Sequence, residues 1–454
     1  MKSKSIPGLI LTSGIMVSVF TGCTLRAQEC DSLSGIEKER LHRIRLDFNK
    51  KKEDILPFIS RYYPEVNDSM LINWEKDHSL EMMEIDGEKW YFRNAARNLF
   101  RINPEAKRRM IEKDGETPLS GYEAVNALHV PDVIASLEGS AATQTKPLNI
   151  KVKYTLTVDA GAVKEGELVR CWLPYPREDN PRQKEVRLLS ANPSNYLLSP
   201  NEYKHRSIYL EKIKVDDEPV VFEVEYSYTS AAEWFNLTPD SIRPYNIASP
   251  IYKEYTQERD SHVRFSKRLR QLADSIRGEE TNPYRIVRKT FNYINDNYPW
   301  ASAREYSTIP NIPEYVVENG HGDCGQVSLL FITLCRINGI PAKWQSGFMM
   351  HPQGVNLHDW AEVWYEGIGW VPVDQSFGIP EFATDEKSRY FFANGIDAYR
   401  MVVNDDYSVP LFPEKKHIRS ETVDFQRGEV ETEKENLYFN QWDWHLDVSY
   451  EPIP

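Results

Sequence analysis

Three residues of this chain have the types and the order that thiol chemistry requires: Cys324, His358 and Asp374. Cys324 begins the stretch CGQVSLLFITLCRI, in which apolar residues recur at helical spacing. The spacing predicts a helix that stops near Gly339. Cys324 would then lie in the first turn, where unpaired backbone N–H groups and the helix dipole favour a thiolate. A small buried residue at a helix start has the same pattern, so the chemistry depends on a base elsewhere in the chain.

His358 and Asp374 lie in a predicted β-hairpin. Residues 358–365 form the first strand, residues 366–369 a tight turn and residues 370–374 the second strand. Antiparallel pairing brings the start of the first strand beside the end of the second, so the two side chains are expected to meet. His358 would accept the thiol proton, and Asp374 would orient the imidazole. Backbone N–H groups at the helix start would face a developing oxyanion.

Other side chains near these three residues are weaker candidates. Trp300, Trp344 and Trp360 are candidate walls of an acyl-binding slot, although packing in a core explains large aromatic residues equally well. Asp359 follows His358 directly, and in a strand it points to the opposite face, which makes it the poorer orienting residue.

The stretch from GDCGQVSLLF to GIPAKWQSGF, followed by HDWAEVWYEGIGWVPVDQSFG, resembles the transglutaminase-like superfamily. The resemblance covers roughly residues 250 to 390. It implies an α+β fold in which the cysteine helix packs on an antiparallel sheet. It also implies that Cys324 is the nucleophile, that His358 is the general base and acid, and that Asp374 orients the histidine.

The resemblance leaves the reaction outcome open. An acyl group on Cys324 can pass to water, as in a peptidase, amidase or deamidase, or to an amine, as in cross-linking. No counterpart of the calcium sites of the animal enzymes is evident, so neither a metal nor another cofactor is predicted. The alternative is a non-catalytic module that keeps the fold and binds a peptide or a glycan at the cell surface.

Composition divides the rest of the chain into segments. The predicted organisation is a helical region at 31–137, a linker at 138–147, a β-rich module at 149–235, the catalytic core at 249–390 and a C-terminal extension with strands at 391–454. The linker is small, polar and ends in proline, whereas the module after it alternates apolar and polar residues with the period of a strand.

The first 23 residues are predicted to be a secretory signal, with two lysines before an apolar run and Thr21-Gly22-Cys23 at its end. That ending resembles the bacterial lipoprotein cleavage box, so Cys23 is the expected lipidation site; ordinary cleavage nearby, for example after Ala27, is the alternative. The expected location is the bacterial cell envelope, with a protein or peptide substrate. A formal net charge of −13 among 454 residues argues against a general nucleic-acid binder.

Overall fold

The computed structural model of this chain describes residues 34–119 and 121–451. The predicted signal and Cys23 lie outside the described residues. The helices of the described part are α1 (Gly35–Asp47), α2 (Lys52–Ile59), α3 (Asp68–Lys76), α4 (Ala95–Ile102), α5 (Pro104–Asp114), α6 (Gly121–Leu137), α7 (Pro250–Tyr255), α8 (Lys267–Arg277), α9 (Pro283–Asn297), α10 (Ile312–Asn319), α11 (Cys324–Ile337) and α12 (Glu386–Arg389). None of them is long and apolar enough to cross a membrane.

The strands of the described part form two five-stranded sheets, a two-stranded hairpin and the four-stranded sheet that carries the predicted site. They are β1 (Met82–Ile85), β2 (Glu88–Tyr91), β3 (Gln144–Val158), β4 (Leu168–Pro174), β5 (Gln183–Asn192), β6 (Tyr196–Leu198), β7 (Ser207–Ile213), β8 (Val220–Trp234), β9 (Ala342–His351), β10 (Gly354–Tyr365), β11 (Gly369–Val373), β12 (Gly395–Ile396), β13 (Arg400–Asn404), β14 (Glu429–Glu431), β15 (Asn436–Leu437) and β16 (Trp442–Glu451). The mixture of helices and antiparallel sheets is the α+β class that was predicted.

The N-terminal region is not purely helical, and it is not one unit. β1 and β2 pair around Asp86-Gly87, where both residues have positive φ, at 55° and 77°. This is the geometry that tight hairpin turns need, and an Asp-Gly pair adopts it readily. Helices α1 to α5 share a separate apolar core, whereas the buried residues of α6 pack with the core around α11. The region predicted at 31–137 therefore contains a hairpin as well as helices, and its buried residues belong to two apolar cores.

The β-rich module is completed by the C-terminal residues. β16 pairs with β3 from Trp442 opposite Val158 to Glu451 opposite Asn149, and β14 pairs with β4. Residues 391–454 are therefore not an extension that stands apart from the module. β16 covers the edge of β3, whose backbone groups would otherwise be unpaired.

The sheet around the predicted site has the antiparallel order β11-β10-β9-β13. α11 lies against one face of this sheet, and its residues from Gly325 to Arg336 are all buried. α8, α9 and α10 pack around α11. β13 contributes the fourth strand from beyond residue 390, so the sheet extends past the predicted end of the core.

Candidate active site

Cys324 occupies the first position of α11. Asp323 is the N-cap: its carboxylate accepts a hydrogen bond from the Gln326 backbone N–H at 3.1 Å, and the Gln326 side chain accepts one from the Asp323 N–H at 3.2 Å. Such a capping box satisfies two of the otherwise unpaired donors at a helix start. The capping box fixes the residue at which α11 begins, and it therefore also fixes the direction in which the Cys324 side chain projects.

The thiol of Cys324 is held by a carboxylate. Cys324 Sγ donates a hydrogen bond to Asp359 Oδ2 at 3.3 Å, and Gln426 Nε2 donates one to Asp359 Oδ1 at 2.8 Å. Burial raises the pKa of the Cys324 thiol well above its usual value, and the carboxylates of Asp359 and Asp323 raise it further. Burial and the two carboxylates thus oppose the effect of the helix end on the Cys324 thiol, and a thiolate at this position stays a prediction.

His358 and Asp374 are in contact across the hairpin. His358 Nε2 lies 2.8 Å from Asp374 Oδ2, and both side chains are buried. Burial lowers the pKa of His358, and the attraction of Asp374 opposes that effect. Burial disfavours the ionised carboxylate of Asp374, but the attraction of His358 and Arg400 outweighs it, so the pKa of Asp374 is below its usual value.

Arg400 extends this pair into a buried network that the sequence did not reveal. Its Nη1 lies 2.9 Å from Asp374 Oδ2, while its Nε and Nη2 donate to Asp397 Oδ2 at 3.0 and 2.7 Å. Its guanidinium also lies 4.2 Å from the centre of the Phe377 ring, and that ring contacts His358. Arg400 thus faces two carboxylates and holds the position of the carboxylate that orients His358.

The structure does not bring all three predicted residues together. His358 and Asp359 are consecutive in β10, so their side chains point to opposite faces of the sheet. Asp359 lies on the face that α11 covers, and His358 lies on the other, beside Phe377. Among the described residues, no hydrogen bond or ion pair joins Cys324 to His358, so the residue that contacts the thiol is Asp359.

The predicted tryptophans divide into two kinds. Trp344 and Trp360 are both fully buried, and each indole N–H donates to a buried neighbour: Trp344 to Ser346 Oγ at 3.1 Å and Trp360 to Gln345 Oε1 at 3.0 Å. Both rings are packed inside the fold and both indole N–H groups are bonded, which is the alternative of core packing given above for large aromatic residues.

Trp300 remains accessible at the surface, with 47% of its area exposed. It lines a small cavity of about 130 Å³ together with Gly322 and Gln375. The guanidinium of Arg101 lies 4.8 Å from its ring centre. Its backbone bridges to Gly322, two residues before Cys324, so of the three tryptophans it is the one placed beside the start of α11.

A cavity of about 190 Å³ opens beside Cys324. Cys324, Asp359 and Tyr306 line it from the core side, and the Tyr306 hydroxyl donates to Asp323 Oδ1 at 2.6 Å. The loop 420–427, which precedes β14, forms another part of the wall, and residues 303–307 form a third. That loop supplies Gln426 and Asp424, which sequence patterns had not marked because they lie in an irregular segment far from Cys324.

No group of three or more His, Cys, Asp or Glu side chains in residues 34–119 and 121–451 has an arrangement that could hold a metal ion. The side chains described above are a thiol, an imidazole, several carboxyls and Arg400, which faces two of those carboxyls.

Residues 270–375 match the family model of the transglutaminase-like superfamily. A protein of Haemophilus influenzae is 24% identical over 294 residues, which are 53% of this chain and 74% of that protein. The YebA protein of Bacillus subtilis is 26% identical over 132 residues, or 25% of this chain, and the aligned part spans only 18% of YebA. The crystal structure of a candidate cysteine protease from Cytophaga hutchinsonii is 14% identical, with a TM-score of 0.46 over 68% of this chain and 93% of that one. Residues 270–375 are thus a transglutaminase-like region within this chain.

Proposed function

We propose that this chain is a thiol enzyme that forms an acyl-enzyme on Cys324 from an amide or peptide carbonyl. The observation that carries the proposal is the arrangement around β10. One residue of that strand holds the thiol at the start of α11, and the residue before it is a histidine that is hydrogen-bonded to a buried carboxylate. A nucleophile, a base and a group that orients the base are the parts that covalent acyl transfer requires.

The proposed reaction proceeds in two halves. The thiol proton passes to His358, the sulfur attacks the carbonyl carbon, and the carbonyl oxygen becomes an oxyanion that faces the free backbone N–H groups at the start of α11. The C–N bond then breaks, and the proton held by His358 goes to the leaving amine. Water or a second amine finally attacks the thioester, gives up a proton to His358 and releases the acyl group, while the thiol recovers a proton.

The contact between Cys324 and Asp359 adds a requirement to this scheme. The thiol must leave Asp359 and approach the imidazole of His358, which lies on the other face of β10, before its proton can be transferred. Rotation about χ1 of a cysteine moves Sγ to another staggered position, and such a rotation away from Asp359 would be the first part of this movement. The observed arrangement is therefore the resting state of the proposed enzyme, with the sulfur protonated.

A non-catalytic module is the second candidate function. The observation in its favour is the same contact: a protonated thiol that is bonded to Asp359 and has a raised pKa is a poor nucleophile. In that case the cavity beside Cys324 would hold a peptide or a glycan without turnover.

Thiol reactivity separates the two functions. Alkylation of Cys324 by iodoacetamide, followed by peptide mass spectrometry, is expected to slow about tenfold in His358→Ala, which corresponds to about one pKa unit in the sulfur's activation. Cys335, buried in the same helix, is the internal control for unfolding. If Cys324 reacts at the same rate with and without His358, the enzyme proposal is wrong and the binding module is favoured.

The reaction outcome needs a direct assay. The chain would be incubated with a diverse peptide library and a primary amine, and the products would be read by mass. Backbone cleavage, ammonia release and amine incorporation identify a peptidase, a deamidase and a cross-linking enzyme. We propose hydrolysis of an envelope peptide as the leading outcome, because the N-terminal segment predicts export and a lipid anchor at Cys23. Loss of lipid labelling in Cys23→Ala would support the anchor.

A further inference from the structure

The cavity beside Cys324 has more carboxylates than cations. Its acidic lining residues are Glu305, Asp323, Asp359, Glu421 and Asp424, and its basic lining residues are Arg93, Arg304 and Arg427. The three arginines already have anionic partners, which account for two of the five carboxylates.

The partners of the arginines are specific. Arg427 contacts Glu305 at 2.8 and 3.0 Å and Glu421 at 2.6 Å. Arg93 pairs with Asp47 at 2.9 Å and with Glu305 at 3.4 Å, whereas Arg304 lies 3.9 Å from Glu81. Asp47 and Glu81 are outside the cavity lining. The three arginines thus pair with Glu305, with Glu421 and with carboxylates outside the cavity.

The three remaining carboxylates have no ion pair among the described residues. Asp323 caps α11, and Asp359 accepts from Cys324 and Gln426. The side chain of Asp424 has neither a hydrogen bond nor an ion pair in the described part of the chain, although the residue is 93% buried, with 7% of its area exposed. The nearby Arg419 bonds to the backbone carbonyl of Asp424 and pairs with Glu429.

An unpartnered buried carboxylate is costly unless something else satisfies it. Burial raises the pKa of Asp424 well above its usual value, and the nearby Glu421 and Asp359 raise it further. A cation in the cavity would reverse that effect, because it would pair with Asp424 and with the free lone pairs of Asp359. An alkylammonium suits the position, since it carries three N–H donors and no acceptor.

We infer that this cavity is the subsite for a primary ammonium group carried by the acyl donor close to its scissile carbonyl. The cavity volume of about 190 Å³ leaves room for an ammonium group on a short alkyl chain. Since Cys324 itself lines the cavity, the ammonium lies within one residue of the carbon that the sulfur attacks. The inference rests on the proposed function, which supplies the acyl donor.

The first test uses thiol chemistry and does not depend on turnover. Cys324 in the full chain is modified with 2-aminoethyl methanethiosulfonate, which is cationic, and with methyl methanethiosulfonate, which is neutral, and the ratio of the two rates is measured. We expect Asp424→Asn to lower this ratio about tenfold, because Asp424 lines the same cavity as Cys324 and its charge attracts the cationic reagent. Asp424→Glu keeps the charge and is expected to keep most of the preference.

Asp240→Asn is the matched control, since it removes the same charge at an exposed position that does not line the cavity. An unchanged ratio in Asp424→Asn overturns the inference, and so does an equal fall in Asp240→Asn, which would indicate a long-range effect of net charge. The melting temperature of each variant shows whether the fold is intact, and Asp424→Glu provides the reading if Asp424→Asn does not fold.

The second test concerns the acyl donor. The 4-nitrophenyl esters of β-alanine and of propionic acid differ by one ammonium group, and nitrophenol release together with intact mass measures acylation of Cys324. Preference for the β-alanine ester that Asp424→Asn removes supports the inference. If instead a free primary amine accelerates breakdown of the propionyl thioester in a manner that depends on Asp424, the cavity holds the acceptor and the inference is overturned.

The two tests also separate this inference from the proposed function. A cationic preference in the methanethiosulfonate rates without any amide turnover would leave the subsite standing while the enzyme proposal fails. Amide turnover that depends on His358 but has no preference for an ammonium would do the reverse.

Discussion

The two faces of β10 carry polar networks of opposite character. On one face, His358, Asp374, Arg400 and Asp397 form a connected set in which Arg400 lies between two carboxylates, and Asp397 also lies 3.3 Å from His351. On the other face, Cys324 is bonded to Asp359, while the side chain of Asp424 has no hydrogen bond or ion pair among the described residues. His358 thus belongs to a network in which the charges are paired, whereas the next residue, Asp359, belongs to a network with unpaired carboxylates.

This difference indicates how the work is divided between the faces. A buried network with paired charges is rigid, because moving any member leaves another unpaired. A network with a surplus of carboxylates is able to accept a ligand, because a cation improves it. In the proposed enzyme, the His358 face would supply a base in a fixed position, and the Asp359 face would be the side where the thiol and the substrate meet.

The largest expected effect is a loss of stability when the network on the His358 face is disrupted. Arg400→Met removes the cation that lies between Asp374 and Asp397 and leaves two buried carboxylates without it, which is expected to cost about 3–5 kcal/mol of the free energy of unfolding. Urea denaturation followed by circular dichroism measures the change. Arg264→Met is the control, because Arg264 is exposed and its ion pair with Asp260 contributes at most about 1 kcal/mol. A loss in Arg400→Met no greater than in the control would contradict the view of this face as a connected network.

The next largest effect is on the alkylation rate of Cys324, which is expected to change in opposite directions when Asp359 and His358 are replaced. Asp359→Asn removes a carboxylate that raises the pKa of the Cys324 thiol, so alkylation of Cys324 at pH 8 is expected to become about tenfold faster, as one pKa unit gives. His358→Ala is expected to slow the same reaction. Iodoacetamide rates as a function of pH measure both effects. Changes in the same direction would show that the two faces do not act differently on the sulfur.

Local patterns in the sequence were enough to predict the parts of the site. α11 begins at Cys324 as expected, because its apolar spacing and its cap lie within one stretch. The hairpin of β10 and β11 also follows the predicted strands, since alternation and a glycine-rich turn are local signals. The contact between His358 and Asp374 follows from that hairpin.

The relation between the parts was not accessible to the same patterns. A period of two assigns His358 and Asp359 to opposite faces, but it does not tell which face α11 will cover. That choice depends on the packing of α11 against the sheet and of Tyr122, from α6, against Phe377 on the other side. Arg400 and Asp424 come from segments outside the family match, and β16 pairs with β3 across most of the chain. Contacts between residues that are far apart in the chain produce no periodic pattern in the sequence.

The smallest expected effect concerns stability on the Asp359 face. The pKa of Asp424 is raised in the folded state, so between its unfolded and folded pKa values the folded chain holds more protons than the unfolded one. Stability must then fall as pH rises through this window, and the contribution of Asp424 turns unfavourable once the group ionises. Asp424→Asn removes that penalty, so its free energy of unfolding relative to the natural chain is expected to increase by about 1 kcal/mol between pH 5 and pH 8. Urea denaturation at the two pH values measures this, with Asp240→Asn as the control that should show no such trend. A difference that shrinks as pH rises would mean that Asp424 is already stabilised as a carboxylate, and the two faces of β10 would then be balanced alike.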